Sequence, residues 1–349
     1  MRDLLADYAR LATPGRRIGR AVVTSVWGSA PRPEGSSMLA TDDGTLAGSV
    51  SGGCVEAATA SEIGDAIRRG SPKLVTFGVS HERAWEVGLA CGGTIKVFIE
   101  PTVRAEVLNA ARGPGGEVIA TVIEGPDTGR SLRVVEDGNL DGTLGDAGAD
   151  ASAAEAALDA LRREASGTAA IESARGAGTL FLEVFPRRPR LVIVGGVQIA
   201  VAMVPLARAL SYHTIVADGR QAFLTRERFP EADELVLGWP DEAFRRIGLD
   251  RSCYVCVLSH DPKFDEPALE LALRSPARYI GAIGSRKTQS ARRERLAASG
   301  FDAETIARVR GPIGLDLGGR QPAETALAIL AEMTAVRYGG TAASPSRGE

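Results

Sequence analysis

The sequence predicts an α/β protein in two parts, an N-terminal α+β domain followed by a domain built on a parallel sheet. Three observations predict it. From Leu191 onward, short apolar runs alternate with helical stretches: LVIV (191–194), HTIVAD (213–218), ELVLG (234–238), CYVCVLSH (253–260) and YIGAIG (279–284). That alternation implies βαβ units. The N-terminal part instead carries a hairpin, SSMLAT (36–41) and TLAGSVS (45–51) around the turn Asp42-Asp43-Gly44. Between the parts lies PRRPR (186–190), whose three positive charges and two prolines read as a linker. The glycine turn directly after LVIV makes the second part Rossmann-like.

The remaining elements follow in order. Residues 3–12 place Leu4, Leu5, Tyr8 and Leu11 on one helical face. RAVVTSVW (20–27), LVTFG (74–78) and TIKVFIE (94–100) are strands, and a helix runs from about Val55 to Arg69 with Ile63, Ala66 and Ile67 inward. Residues 1–101 are read as one domain and 102–185 as its α+β continuation. The continuation has strands at 117–124, 131–135 and 179–185, an exposed Gly/Asp-rich loop at 137–150 and an Ala-rich helix at 151–165. The Rossmann-like domain spans 191–338 and closes on a helix from Pro322 to Arg337; residues 339–349 read as a disordered tail.

Bulk composition narrows the function classes. The chain has 349 residues, 44% hydrophobic and 24% charged, as a globular protein would. A net charge of −3 argues against nucleic-acid binding by bulk electrostatics. No apolar run is long enough for a membrane helix, and the N-terminus lacks the apolar core of a signal peptide. A cytoplasmic protein with reduced thiols is expected. The three histidines, His81, His213 and His260, have no metal-ligand spacing, so no metal site is expected.

Four glycine turns carry the candidate chemistry. In Ser49-Val-Ser-Gly-Gly-Cys-Val-Glu56, Gly52 and Gly53 end a strand and open a helix. Their N–H groups could bind an anion, and the helix start would favour the thiolate of Cys54. The plainer alternative is a simple turn with Cys54 packed as a small hydrophobe. Gly88-Leu-Ala-Cys-Gly-Gly-Thr94 repeats the arrangement with Cys91, Gly92 and Gly93. After LVIV, Gly195-Gly196-Val197-Gln198-Ile199-Ala200 stands where a dinucleotide fingerprint belongs, and Asp218 ends the second strand where an acid would meet a ribose. Val197 replaces the second fingerprint glycine, so NAD(P) binding is disfavoured and Val197→Gly should improve it. Finally, Gly284, Ser285, Arg286 and Lys287 open a helix as an anion site, or else as a solvated cap. Cys253 and Cys256 spell C-x-x-C within a strand, where residues three apart face opposite ways, so both read as buried structural thiols. His260 and Asp261 end that strand, where ligands of such sheets gather.

GSAPRPEGSSMLATDDGTLAGSVSGGCVE (28–56) and GLACGGTIKVFIEP (88–101) resemble the two N-terminal signatures of the XdhC/CoxI family, the xanthine dehydrogenase accessory factors. HDPKFDEPAL (260–269), RYIGAIGSRKT (278–288) and GPIGLDLGGRQPAE (311–324) resemble that family's C-terminal domain. The sequence departs from the family at the fingerprint, where many relatives carry a G-A-G-H-V-G/A-like stretch. The resemblance implies a cofactor-binding chaperone rather than a turnover enzyme. It would bind the molybdenum cofactor transiently and support its sulfuration by a cysteine desulfurase. It would then insert the cofactor into an apo molybdenum hydroxylase of the xanthine dehydrogenase or CO dehydrogenase type. The resemblance assigns the thiol role to Cys54 first and Cys91 second, and a homodimer is compatible with it. Two other classes remain: an NAD(P)-dependent oxidoreductase using the second domain, and a non-catalytic scaffold.

Overall fold

The computed structural model describes residues 1–28, 32–78 and 93–343, which form two compact units divided between Arg187 and Arg188. The first unit carries two five-stranded antiparallel sheets. One has the order β3-β2-β1-β5-β4, from β1 (Ile18–Trp27), β2 (Ser37–Thr41), β3 (Leu46–Gly48), β4 (Lys73–Phe77) and β5 (Thr94–Glu100). The other has the order β8-β7-β6-β10-β9, from β6 (Glu117–Glu124), β7 (Ser131–Val135), β8 (Leu140–Gly142), β9 (Gly167–Ser173) and β10 (Gly176–Phe185).

Strand alternation sorts the side chains between faces. Ala21 and Val23 of β1 join Val97 and Ile99 of β5 in a core covered by a helix at Glu56–Arg69 through Ile63, Ala66 and Ile67. Val118, Ala120, Leu180 and Leu182 pack under a helix at Ala147–Arg163. On the opposite faces Val22 and Phe98 meet Ile123 and Phe181 between the sheets. A buried ionic cluster sits in the same layer. Arg20 of β1 is fully buried; it pairs with Glu100 of β5 at 3.1 Å and with Glu183 of β10, and donates to the Ser37 hydroxyl of β2 at 2.9 Å. Arg104 adds a second cation on Glu100 at 2.6 Å and reaches Thr121 of β6 at 2.7 Å.

Several sequence expectations are corrected in this unit. A helix over Ala105–Arg112, absent from the sequence reading, buries Val107, Leu108, Ala110 and Ala111 against Leu4 and Leu11. The exposed loop expected at 137–150 instead contains β8 and the first turn of the Ala-rich helix, with Leu144 and Ala149 buried. The turn is ordered because Asp146 caps the helix on the Ala149 N–H at 2.8 Å and Asp150 accepts from Leu144 N–H at 2.6 Å. The two units divide within 186–190, and the arginines of that segment are bonded. Arg187 pairs with Glu136, Arg188 donates to the Ser211 and Tyr212 carbonyls, and Arg190 opens the next strand and donates to the Ile247 and Gly248 carbonyls.

The second unit is a six-stranded parallel sheet of order β13-β12-β11-β14-β15-β16. Its strands are β11 (Arg190–Val194), β12 (His213–Asp218), β13 (Glu234–Leu237), β14 (Cys253–Val257), β15 (Tyr279–Ala282) and β16 (Val309–Arg310). Helices at Gln198–Ala209 and Pro322–Tyr338 cover one face, and helices at Pro240–Ile247, Pro262–Leu273 and Arg286–Ala298 cover the other. Cys253 lies in the core on one face and Cys256 in the core on the other, as the two-residue period requires. Burial pushes both thiols up. The strand order reverses between β11 and β14, so the carboxyl edge there is the topological switch point. No helix among the described residues is long and apolar enough to cross a membrane.

Candidate functional site

Cys54 is exposed in the loop between Val50 and Val55, just ahead of Glu56, the first residue of the helix Glu56–Arg69. The loop closes on that residue's carboxylate. Oε1 accepts from the Ser49 hydroxyl at 2.6 Å and from the N–H groups of Val50, Ser51 and Gly52 at 3.2, 2.9 and 3.1 Å. Oε2 accepts from the Ser51 hydroxyl at 2.6 Å and from Gly53 and Val55 N–H at 2.9 and 3.2 Å. The Cys54 N–H goes to the Ser51 hydroxyl at 3.0 Å. Gly52 and Gly53 adopt φ of +82° and +124°, which turn their N–H groups inward and which side chains with a Cβ rarely adopt. Partial burial alone would raise the Glu56 pKa. The hydroxyls of Ser49 and Ser51 and the loop amides outweigh it and hold the carboxyl at about 2, so it is ionised at neutral pH.

This corrects one premise drawn from the sequence. Gly52 and Gly53 do form an anion cradle, but the anion in it is the chain's own Glu56. Their N–H groups are not free to face a phosphate or the Cys54 thiol. Cys91 and Gly92 lie outside the described residues, as does His81. Gly93 is buried and leads into β5 where that strand pairs with Trp27 at the end of β1.

The fingerprint residues of the second unit come together, again in an arrangement closed on itself. Gly196 N–H donates to Asp218 Oδ2 at 2.8 Å, and Arg220 holds both oxygens of that carboxylate through its main-chain N–H, Nε and Nη2, each at 2.9 Å. Burial works against the Asp218 charge. Arg220 and the Gly196 amide outweigh it and keep the carboxyl below the usual carboxylate range. Asp218 is therefore not presented to a ribose, as the sequence suggested, but ties the turn after β11 to the turn after β12. A Cβ on Gly196 would lie 2.4 Å from the Phe223 carbonyl oxygen, and one on Gly195, at φ +109°, would lie 2.9 Å from Ser259. These glycines thus admit neighbouring backbone. Val197 is half-buried and packs against the core on that face of the sheet, whereas the sequence reading placed it against a pyrophosphate.

On the same carboxyl edge, Ser285 caps the helix that begins at Arg286, accepting from Thr288 N–H at 3.2 Å, and Arg286 and Lys287 are exposed. His260 follows β14 at φ +64°, and Asp261 caps the next helix on Lys263 N–H at 3.0 Å. Sequence reasoning missed the buried network behind them. Ser259 donates to Asp265, Arg292 meets that carboxylate at 3.5 Å, and Arg292 also donates to the Ile283 carbonyl at 3.2 Å. It missed Glu56 as well, although an acid in the first turn after a diglycine was a usable signal.

Comparison with known proteins places these two units. Residues 11–78, which include Cys54 and Glu56, match the XdhC and CoxI family, and residues 191–333 match the XdhC Rossmann domain. A probable xanthine dehydrogenase subunit from Bacillus subtilis (strain 168) is 26% identical over 91% of this chain and 92% of its own length. The molybdenum cofactor insertion chaperone PaoD of Escherichia coli (strain K12) is 27% identical over 96% of this chain and 88% of its own. A solved chain described as a xanthine dehydrogenase from Bacillus halodurans shares the fold, with a TM-score of 0.72 at 23% identity over 98% of each chain. Both signatures fall in their expected order, one on each unit: the chain belongs to the XdhC/CoxI family.

Proposed function

We propose that this chain is an accessory factor in the maturation of a molybdenum hydroxylase. It takes the molybdenum cofactor as transient cargo, supports its sulfuration and inserts it into the apoenzyme. Cys54 carries the reading: an exposed thiol on a loop whose amides from Val50 to Val55 are all spent internally, inside the segment matching the XdhC and CoxI family. The similarity along nearly the whole chain to a molybdenum cofactor insertion chaperone supports it. A thiolate is a soft ligand suited to molybdenum and to sulfur transfer, and an exposed one can meet a large cargo. Cys91 is the second thiol of the proposal, and Ser285, Arg286 and Lys287 are its anion-binding group on the second unit. The partners are the apo-hydroxylase and a cysteine desulfurase, and the compartment is the cytoplasm. The test is reconstitution: apo-hydroxylase, released cofactor and a cysteine desulfurase, with and without this protein. More active hydroxylase is expected with it, and equal activity in both reactions would count against the role.

The strand order of the second unit and Asp218 at the end of β12 favour a nicotinamide-dependent oxidoreductase as a second reading. The contacts there weigh against it, because Gly196 and Asp218 satisfy each other and Phe223 backbone lies against the turn. Glycine at 197 would remove a core contact without opening that turn. Calorimetry on Val197→Gly is accordingly expected to show no NAD or NADP binding. Micromolar binding by the parent or the variant would revive the oxidoreductase.

A further inference from the structure

The geometry points to Glu56 as the positioning residue of the Cys54 loop: an internal carboxylate that occupies the diglycine cradle and so fixes the path on which the thiol is presented. The inference rests on the proposed role of Cys54 and adds to it. Seven donors converge on this one side chain, supplied by Ser49, Val50, Ser51, Gly52, Gly53 and Val55. A helix N-terminus with loose amides would leave Cys54 on a mobile turn. Here the N–H groups at 50–53 and 55 all reach Glu56, those of Gly52 and Val55 being shared with the hydroxyls of Ser49 at 2.8 Å and Ser51 at 3.0 Å, and the one at Cys54 goes to Ser51; Glu56 accepts from both hydroxyls. Charge-assisted bonds to a carboxylate are about twice as strong as neutral ones, so the set acts as a clamp. Gly53 faces open space on its side-chain side, so packing alone does not hold the turn.

The arrangement also decides what the loop does not do. An incoming phosphate would have to displace a carboxylate already satisfied by both hydroxyls and the amides, and the cradle offers it no spare donor. The loop therefore contributes a thiol to the cargo, and the cargo's anionic end is held by other residues.

The test is amide hydrogen exchange over residues 50–55 in the full chain, comparing the parent with Glu56→Ala and Glu56→Gln, each with and without added formate. The parent should be protected and indifferent to formate. In Glu56→Ala exchange should rise at least about tenfold, and formate should restore part of the protection by refilling the cradle. A merely structural side chain would not be replaced by a free carboxylate. Should Glu56→Ala fail to fold, Glu56→Gln keeps the shape, loses the charge and one acceptor, and should show the same loosening to a smaller degree. Unchanged exchange over 50–55 in a folded variant would overturn the inference, as would loosening that formate leaves untouched in Glu56→Ala. The readout needs no cofactor, so it stands or falls separately from the role of Cys54. If both hold, Glu56→Ala should also retain less cofactor while its Cys54 still reacts with iodoacetamide.

Discussion

Arg20→Met should destabilise the first unit by about 3–5 kcal/mol, the cost of leaving a buried carboxylate without its cation. Arg20 is fully buried and is the residue through which β1, β2, β5 and β10 are joined between the two sheets. Methionine has a similar length and would fill most of the space, so the loss is electrostatic rather than a cavity effect. Among the described residues Glu100 has a second cation, Arg104 at 2.6 Å, whereas the ion pair of Glu183 is with Arg20. The double variant Arg20→Met/Glu183→Leu should therefore recover more than half of the loss, since an apolar pair can replace a buried ion pair at little net cost. Urea unfolding followed by circular dichroism measures both. A single variant within about 1 kcal/mol of the parent would mean that the apolar layer of Val22, Phe98, Ile123 and Phe181 holds the sheets without the ionic cluster.

The second large effect is functional. Cys54→Ser should lose cofactor retention by at least about tenfold, because a hydroxyl is a poor ligand for a soft metal centre and cannot carry sulfur. Stability should change by less than about 0.5 kcal/mol, since the side chain is exposed and the loop is held through backbone, serine hydroxyls and Glu56. Equilibrium dialysis against released cofactor reads the first quantity and thermal unfolding the second. Full retention by the variant would move the thiol role to Cys91 or remove it.

Much of this was legible in the residues because the period of a pattern is a local property. The strands at 94–100, 117–124 and 131–135 alternate or run apolar strongly enough to fix their ends. The opposite facing of Cys253 and Cys256 follows from the same two-residue period. Composition misled at 137–150, where Gly and Asp suggested a loop while Asp146 and Asp150 were organising a helix start. The site was less legible because its contacts are set by the path of the chain. A diglycine beside a cysteine announces a turn and a thiol, but not that two positive-φ glycines aim their amides at Glu56. Likewise Asp218 stands where a ribose acid would, and only the fold shows that Gly196 and Arg220 already use it. Arg20 reads as a charge at a strand end; its partner Glu183 lies 163 residues away in sequence.

We propose that this chain carries the molybdenum cofactor on Cys54. The most direct test is size-exclusion chromatography of the purified protein mixed with released cofactor, with molybdenum assayed across the eluate. Molybdenum should travel with the parent protein and not with Cys54→Ser run in parallel. Molybdenum eluting wholly apart from the parent, or equally with both proteins, would contradict the account.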